Sequence, residues 1–539
     1  MTNSTESPLK RRAVLAIAAG AVATAAVPEI VRAAAASPLT PARFTGFAAS
    51  ASGPTPADWT ALARDLAGTL VRPGEASYGT AKLLFDPRFD SQHPMGIAFV
   101  KNAHDVATCL AFVKQFKLPF AARCGGHSYA GWSGSNGLII DVSDMNAVIV
   151  SGSTVTVGSG VRLIDFYHGL AAKNRAVPGG SCPTVGISGL TLGGGIGVTA
   201  RAYGLTCDSL ESLQIVLANG ARVTATAKNQ FSDLFWASQG GGGGNFGVAT
   251  AFTFRTVPAP SPLLFSLFWP WSKAAKVIAA WQSWAPHAPD ALWSNLHLSA
   301  AVGGGTPSIQ VGGTYLGTVG GAANLLDQLY AKVGSHPSPA YLSYPQPFLT
   351  AMLAEAGCAT LGYTACHLPW YAPGGKLTRQ PQLTKSDFFT TPINSAGINT
   401  LLANVAAFRK VNGAHGGSGG IAFDALGGAV NRVPATATAF VHRNALFSAQ
   451  YTTDWSGHPT SAQINNQHVW LRNFWTSMRR YASGQAYQNY IDPELTNWQQ
   501  AYYGVNYHRL QVVKTKYDPT GLFTFPQAIE RLPSVPVTG

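Results

Sequence analysis

Arg123-Cys124-Gly125-Gly126-His127-Ser128-Tyr129 follows a short apolar run, and Gly179-Gly180-Ser181-Cys182-Pro183-Thr184-Val185-Gly186-Ile187-Ser188-Gly189 follows it, continuing to Gly193-Gly194-Gly195-Ile196-Gly197. Glycine at this density lets a backbone approach a phosphate or a planar ring closely and offer its N–H groups to it. A Rossmann fingerprint needs strand, GxGxxG, helix and an acid about 20 residues on, and the spacing here does not supply it. No Walker GxxxxGK(S/T) occurs either. What remains is a dinucleotide site on a different fold.

Outward from these loops the chain alternates helical and extended signals. Val106, Cys109, Leu110, Val113 and Phe116 keep helical spacing, and Pro119 to Ala122 lead as a strand into Arg123. Gly137 to Asp141 and Val155 to Val161 read as strands, and Leu163 to Lys173 as a helix. Leu213 to Ala218 and Arg222 to Thr226 predict a hairpin around Asn219-Gly220, a pair suited to a tight primed turn. Three prolines between Pro258 and Pro262 mark a boundary. Beyond it lies a Trp- and Gly-rich region with short extended segments to about residue 480, then a helix-like run from Gln500 to Lys516.

Composition bounds the function classes. The 539 residues are 46% hydrophobic and include 58 Gly, which excludes a disordered or collagen-like chain and favours a sheet-rich α/β protein. The formal charge of +13 has no cluster of Lys/Arg beyond the N-terminus, so no nucleic-acid partner is expected. Lys10-Arg11-Arg12, the Ala-rich run Ala13 to Val27 and the small residues Ala33 to Ala36 resemble a twin-arginine export signal over residues 1–36. The apolar run is too short to span a bilayer and is interrupted by Pro28 and Glu29. A periplasmic or secreted mature chain without a membrane span, handed to the twin-arginine machinery, is therefore expected. Six cysteines form no CxxC pair and no Cys/His spacing for zinc, so no metal site is expected; Cys358 and Cys366 are the disulfide candidate by proximity.

Taken singly, His127 reads as a turn histidine and Cys182 as a buried thiol. Together the segments resemble the berberine-bridge-enzyme-like branch of FAD-linked oxidases. The resemblance is carried by Arg123 to Tyr129, Cys182 to Gly186, Gly193 to Gly197, Tyr203-Gly-Leu205, Asp233 to Trp236, Gly240 to Gly247, His442-Arg443, Tyr487-Gln-Asn489-Tyr490, and Asn506 to Leu510 followed by Lys514 and Asp518-Pro519. It implies an α+β or α/β chain with a two-part FAD-binding domain of the PCMH type, built from residues 45–257 and 481–535. Around it, residues 258–480 would form a substrate domain with an antiparallel sheet flanked by helices. It also implies FAD bound covalently twice, at the 8α-methyl carbon by His127 and at C6 by Cys182. Arg123, Gly125, Gly126, Ser128, Thr184, Val185, Gly186, Gly189, Gly193, Gly197, Val248 and Asn489 are the further flavin-binding positions. Leu190 departs from the family where many members carry His near the ribityl chain, and Val441 departs where plant members usually carry Pro.

For the chemistry, Tyr129, Tyr487, Tyr490 and Gln450 are the candidates. Oxidising an alcohol by hydride transfer to flavin N5 needs a base for the hydroxyl proton, and a free tyrosine near pKa 10 must be shifted down to serve. A positive or hydrogen-bonding neighbour to Tyr129 or Tyr490 is therefore expected, with one of Tyr487 and Tyr490 serving only packing. Gln450, where the alkaloid-forming member carries a carboxylate, cannot take a proton. Val185 falls at the family's oxygen gate and resembles the oxygen-reactive members. The expected function is an oxidase that acts on a carbohydrate or similar small molecule with O2 and releases H2O2. The alternatives are a tailoring enzyme of secondary metabolism on the same scaffold and a binding protein on a retired one. Trp269, Trp271, Trp281, Trp284 and Trp293 are candidates for sugar stacking or for core.

Overall fold

The apolar runs become strands and the amphipathic runs become helices. The computed structural model describes residues 53–414 and 416–533; the expected export signal lies outside the described residues. Strands β1 (Thr69–Val71), β2 (Gly96–Phe99), β3 (Phe120–Arg123) and β4 (Leu138–Asp141) form a sheet in the order β1-β2-β4-β3, with β2, β4 and β3 parallel. Every residue of β4 is buried, as the apolar run Leu138 to Ile140 requires for a strand covered on both faces, and Asp141 at its end pairs with Arg123. Helix Ala103–Phe116 packs beside it through Val106, Leu110 and Val113, capped by Asn102, whose side chain accepts from the backbone N–H groups of His104 and Asp105.

A second, antiparallel sheet has the order β5 (Val148–Ser151), β6 (Thr154–Gly158), β10 (Val248–Arg255), β8 (Leu210–Val216) and β9 (Arg222–Ala225). The two-residue pair β7 (Arg175–Ala176) and β11 (Val257–Pro258) adjoins it in sequence. The β8–β9 hairpin forms where the sequence predicts it, but its turn differs. The Leu217 N–H donates to the Ala221 carbonyl, and only Gly220 has positive φ, at 80°. The loop is thus three residues long and ends on a left-handed glycine, the other common way to match strand twist.

A third sheet is antiparallel throughout, in the order β15 (Ala340–Leu342), β12 (Leu263–Trp269), β14 (Ser308–Tyr315), β13 (Leu292–Ala301), β17 (Ser418–Ala425), β18 (Phe447–Asp454), β16 (Gln382–Phe389). Alternation divides its side chains. Leu296, Leu298, Ile421, Phe423, Ala449 and Tyr451 belong to a core cluster shared with helices Ala274–Trp284, Val319–Val333, Ser395–Ala407 and Ser461–Met478. The intervening residues Asn295, His297, Ala422, Asp424 and Gln450 face a cavity. Trp269, Trp281 and Trp284 are buried in the core, while the buried Trp293 lines the cavity beside Asn295 and His297.

The C-terminal helix also differs from its single predicted run. It breaks into Trp498–Tyr503, one 3-10 turn at Gly504–Asn506, and Tyr507–Tyr517, because Gly504 adopts φ of 47° and stops the first segment. Cys358 and Cys366 form the expected disulfide. No helix among the described residues is long and apolar enough to cross a membrane.

Candidate active site

A cavity of about 550 Å³ runs between the glycine loops and the open face of the third sheet. Its glycine walls meet backbone to backbone. A Cβ on Gly125 would lie 2.4 Å from the Gly186 nitrogen, and one on Gly186 would lie 2.1 Å from Cys124 Sγ, so neither loop tolerates a side chain at the contact. Gly126, at φ of 70°, turns the chain so that His127 enters the cavity.

His127 Nε2 lies 2.8 Å from Thr184 Oγ1, and Cys182 Sγ lies 3.8 Å from the same oxygen. Two side chains from loops 55 positions apart therefore converge on one hydroxyl. Phe85 stacks on the His127 ring at 4.0 Å. Burial, with the nearby Arg162 guanidinium second, pushes the His127 pKa down to about 3, so the imidazole is neutral at working pH. Burial pushes the Cys182 thiol up.

Of the sequence-derived flavin positions, Arg123, Gly125, Gly126, Ser128, Val185, Gly186, Gly189, Gly197, Val248 and Asn489 all line this cavity with His127 and Cys182. Thr184 and Gly193 do not. Thr184 stands behind the wall and supports His127 through its hydroxyl, while Gly193 packs beneath the Asn489 amide, 1.9 Å from where its Cβ would be. Leu190 lines the cavity, and its carbonyl accepts from Asn489 Nδ2 at 3.1 Å.

The residues present fit a flavin dinucleotide. A Cβ on Gly189 would meet nothing within 4 Å, so that glycine keeps cavity space clear. Gln488, Gln527 and Trp293 add polar groups to the residues that line the same cavity.

At the sheet end, Tyr129 and Tyr490 meet edge to face at 5.9 Å, and Tyr487 meets Tyr490 at 4.9 Å. Gln450 Nε2 donates to the Tyr129 hydroxyl at 2.8 Å. The hydroxyl of Tyr487 accepts from the Gly195 and Ile196 backbone N–H groups at 3.0 and 3.3 Å and from Asn489 Nδ2 at 3.0 Å. These three donors fix the Tyr487 hydroxyl in place. The hydrogen-bonding neighbour expected at Tyr129 is Gln450, whose bond opposes the upward push of burial on that phenol; burial pushes Tyr490 up as well. Tyr487 is pushed up to about 12, again by burial.

Two carboxyls at this end escape a reading of the sequence alone. Asp424 sits on β17 opposite Asn295 on β13 and Ser448 on β18, one residue pair along from Ala422 and its neighbours His297 and Gln450. Glu355 ends the helix Phe348–Glu355 and lines the same cavity. Neither has a hydrogen bond or ion pair among the described residues. Burial pushes Asp424 up to about 6, and burial together with the Asp424 charge pushes Glu355 up to about 7. The one signal available in the sequence was an isolated acid in the apolar strand Gly419 to Ala425, and its depth becomes visible only through cross-strand register. Among the described residues no cluster of His, Cys, Asp and Glu is arranged for a metal.

The FAD binding domain family matches residues 94–226, and the family described as berberine and berberine like matches residues 486–530. An uncharacterized FAD-linked oxidoreductase of Bacillus subtilis, YgaK, is 34% identical over 476 residues, which cover 87% of this chain and 98% of that one. BBE-like 1 of Physcomitrella patens superposes with a TM-score of 0.77 at 29% identity, over 88% of this chain and 99% of that chain. Phl p 4, a grass pollen allergen with glucose dehydrogenase activity, superposes with a TM-score of 0.75 at 25% identity, over 86% and 97%. The two matched segments bracket the third sheet and carry the two sides of the cavity, the glycine loops in one and Tyr487, Asn489 and Tyr490 in the other, and with the full-length relatives they establish that the chain belongs to the berberine-bridge-enzyme-like family of FAD-linked oxidoreductases.

Proposed function

We propose that the protein is an exported oxidase with bicovalently bound FAD that oxidises a hydroxyl of a carbohydrate or similar small molecule and reduces O2 to H2O2. The observation that carries this reading is the convergence of His127 Nε2 and Cys182 Sγ on Thr184 Oγ1, on a cavity whose far end holds an uncompensated carboxyl pair. His127 and Cys182 are the attachment residues, with the neutral imidazole suited to act as a nucleophile. Residues 45–257 and 481–535 form the flavin domain, and residues 258–480 the substrate domain. Bound FAD supplies the hydride acceptor and the route to oxygen.

Asp424 accepts the proton of the substrate hydroxyl. Its pKa of about 6 leaves it ionised at neutral pH yet more basic than an ordinary carboxylate. Tyr129, held by Gln450, and Tyr490 donate hydrogen bonds that orient the sugar. Val185 lines the cavity beside the attachment loop, the position read as the oxygen gate. The glucose dehydrogenase activity of Phl p 4 supports the carbohydrate class. The acidic pair also suits a protonated amine, which favours tailoring of a basic secondary metabolite as the second reading.

The test is flavin colour in acid-precipitated, washed protein, with peroxide release on a panel of sugars. Colour should stay with the wild type and wash out only when His127→Ala and Cys182→Ala are combined. Colour that washes out of the wild type overturns the attachment. Sugar turnover with an artificial acceptor but no peroxide overturns the oxidase assignment.

A further inference from the structure

A larger cavity, of about 770 Å³, shares the Arg123–Gly126 loop as a wall with the flavin cavity, but Tyr129, Cys182, Asp424 and Gln450 are absent from its lining. The two linings have only Arg123, Cys124, Gly125 and Gly126 in common. Two elements build its opposite side: helix Leu163–Ala171, and the segment that begins at the Cys358–Cys366 disulfide and runs to Ala372.

Planar side chains on that segment are fixed by a polar network. Tyr363 stacks on His168 at 4.0 Å with an interplanar angle of 13°, and its hydroxyl donates to Asp165 at 2.7 Å. His367 Nε2 lies 3.0 Å from the same carboxylate. The Arg162 guanidinium sits 4.4 Å over the Tyr371 ring. Trp370, on the cavity lining, is 42% exposed although it is a large apolar ring that could have been buried.

The charges decide the ligand class. Arg123 is paired with Asp141, and Arg162 is stacked and donates to the Gly160 carbonyl at 3.0 Å, while Asp144 and Asp165 also face the space. An anion would meet carboxylates, and a purely apolar ligand would strip water from charged groups without replacing their hydrogen bonds. A neutral polyhydroxylated ring suits both features: its C–H face lies on Trp370 or Tyr371 while its hydroxyls pair with Arg162, Asp144 and the hydroxyls of Ser77 and Thr80. We propose that this cavity is a saccharide-binding site separate from the flavin cavity.

The experiment is calorimetric titration of the flavin-loaded protein with cellotetraose, chitotetraose and maltotetraose, with flavin absorbance followed in parallel. The expected result is saturable binding of at least one sugar, weakened about tenfold by Trp370→Ala or Tyr371→Ala, with any sugar-induced change in flavin absorbance left intact in both variants. Trp370→Ala removes an exposed ring, so it keeps the test open should Tyr371→Ala fail to fold. Absence of saturable binding with all three sugars overturns the proposal, as does binding that both aromatic truncations leave unchanged. Calorimetry needs no turnover, so this outcome is separate from the fate of the oxidase assignment.

Discussion

A carboxyl buried without a cation keeps its proton to higher pH than one in water, and Asp424 is in that position. As the base it must be ionised, so kcat/KM should rise with pH through about 6 and level off above it. Asp424→Asn should lower kcat by about 10²- to 10⁴-fold and remove that acid limb, as read in steady-state profiles on an oxidised sugar. The folded-state pKa values of Asp424 and Glu355 lie above those of the unfolded chain, so the protonated carboxyls contribute stability below about pH 4, and this is lost as pH rises to about 7. The thermal midpoint of Asp424→Asn should accordingly gain on the wild type across that interval. Tyr487 acts in another way, through three donors held on one buried hydroxyl. Tyr487→Phe leaves the Gly195 and Ile196 N–H groups unpaired and should cost about 1–3 kcal/mol in urea unfolding.

At the scale of elements, β17 serves two purposes through the two-residue period of a strand. Asp424 faces the cavity, and the preceding Phe423, 1% exposed, packs on Trp281, Phe389 and Phe447 on the opposite face. Phe423→Ala should cost about 3–5 kcal/mol in urea unfolding, because its ring neighbours are themselves held, Phe389 and Phe447 by strands and Trp281 by a helix, and cannot collapse into the void. The flavin loops were legible as elements because glycine spacing reports backbone approach directly: Gly125 and Gly186 do meet. On the substrate face Gln450 was legible through the resemblance, but Asn295 and Asp424 were not, since they come from strands whose neighbours are set by the order β13-β17-β18 and not by chain order. The helix break at Gly504 was hidden for a related reason: residues on either side of it keep apolar spacing, and only the φ of 47° shows that the axis stops.

Across the whole molecule, the C-terminal segment is tied to the glycine-rich region by one buried cation. Lys514, 2% exposed, donates to the Asn245 carbonyl at 2.7 Å and to Asp518 Oδ2 at 2.8 Å, and Asn245 lines the flavin cavity. Lys514→Met removes the partner of a fully buried carboxylate and should cost about 3–5 kcal/mol in urea unfolding, with flavin retention falling in parallel. The sequence by itself determined the family, the glycine loops of the cavity that His127 and Cys182 line, and the disulfide pair, because those features rest on residue identity at fixed short spacings that survive in one dimension. Tertiary structure decided that burial raises the pKa values of Tyr129 and Tyr490 and that Asp424 and Glu355 share the cavity with them. A pKa depends on burial and on charges brought together from strands and helices far apart in the chain, and those distances exist only once the sheet has closed over the cavity.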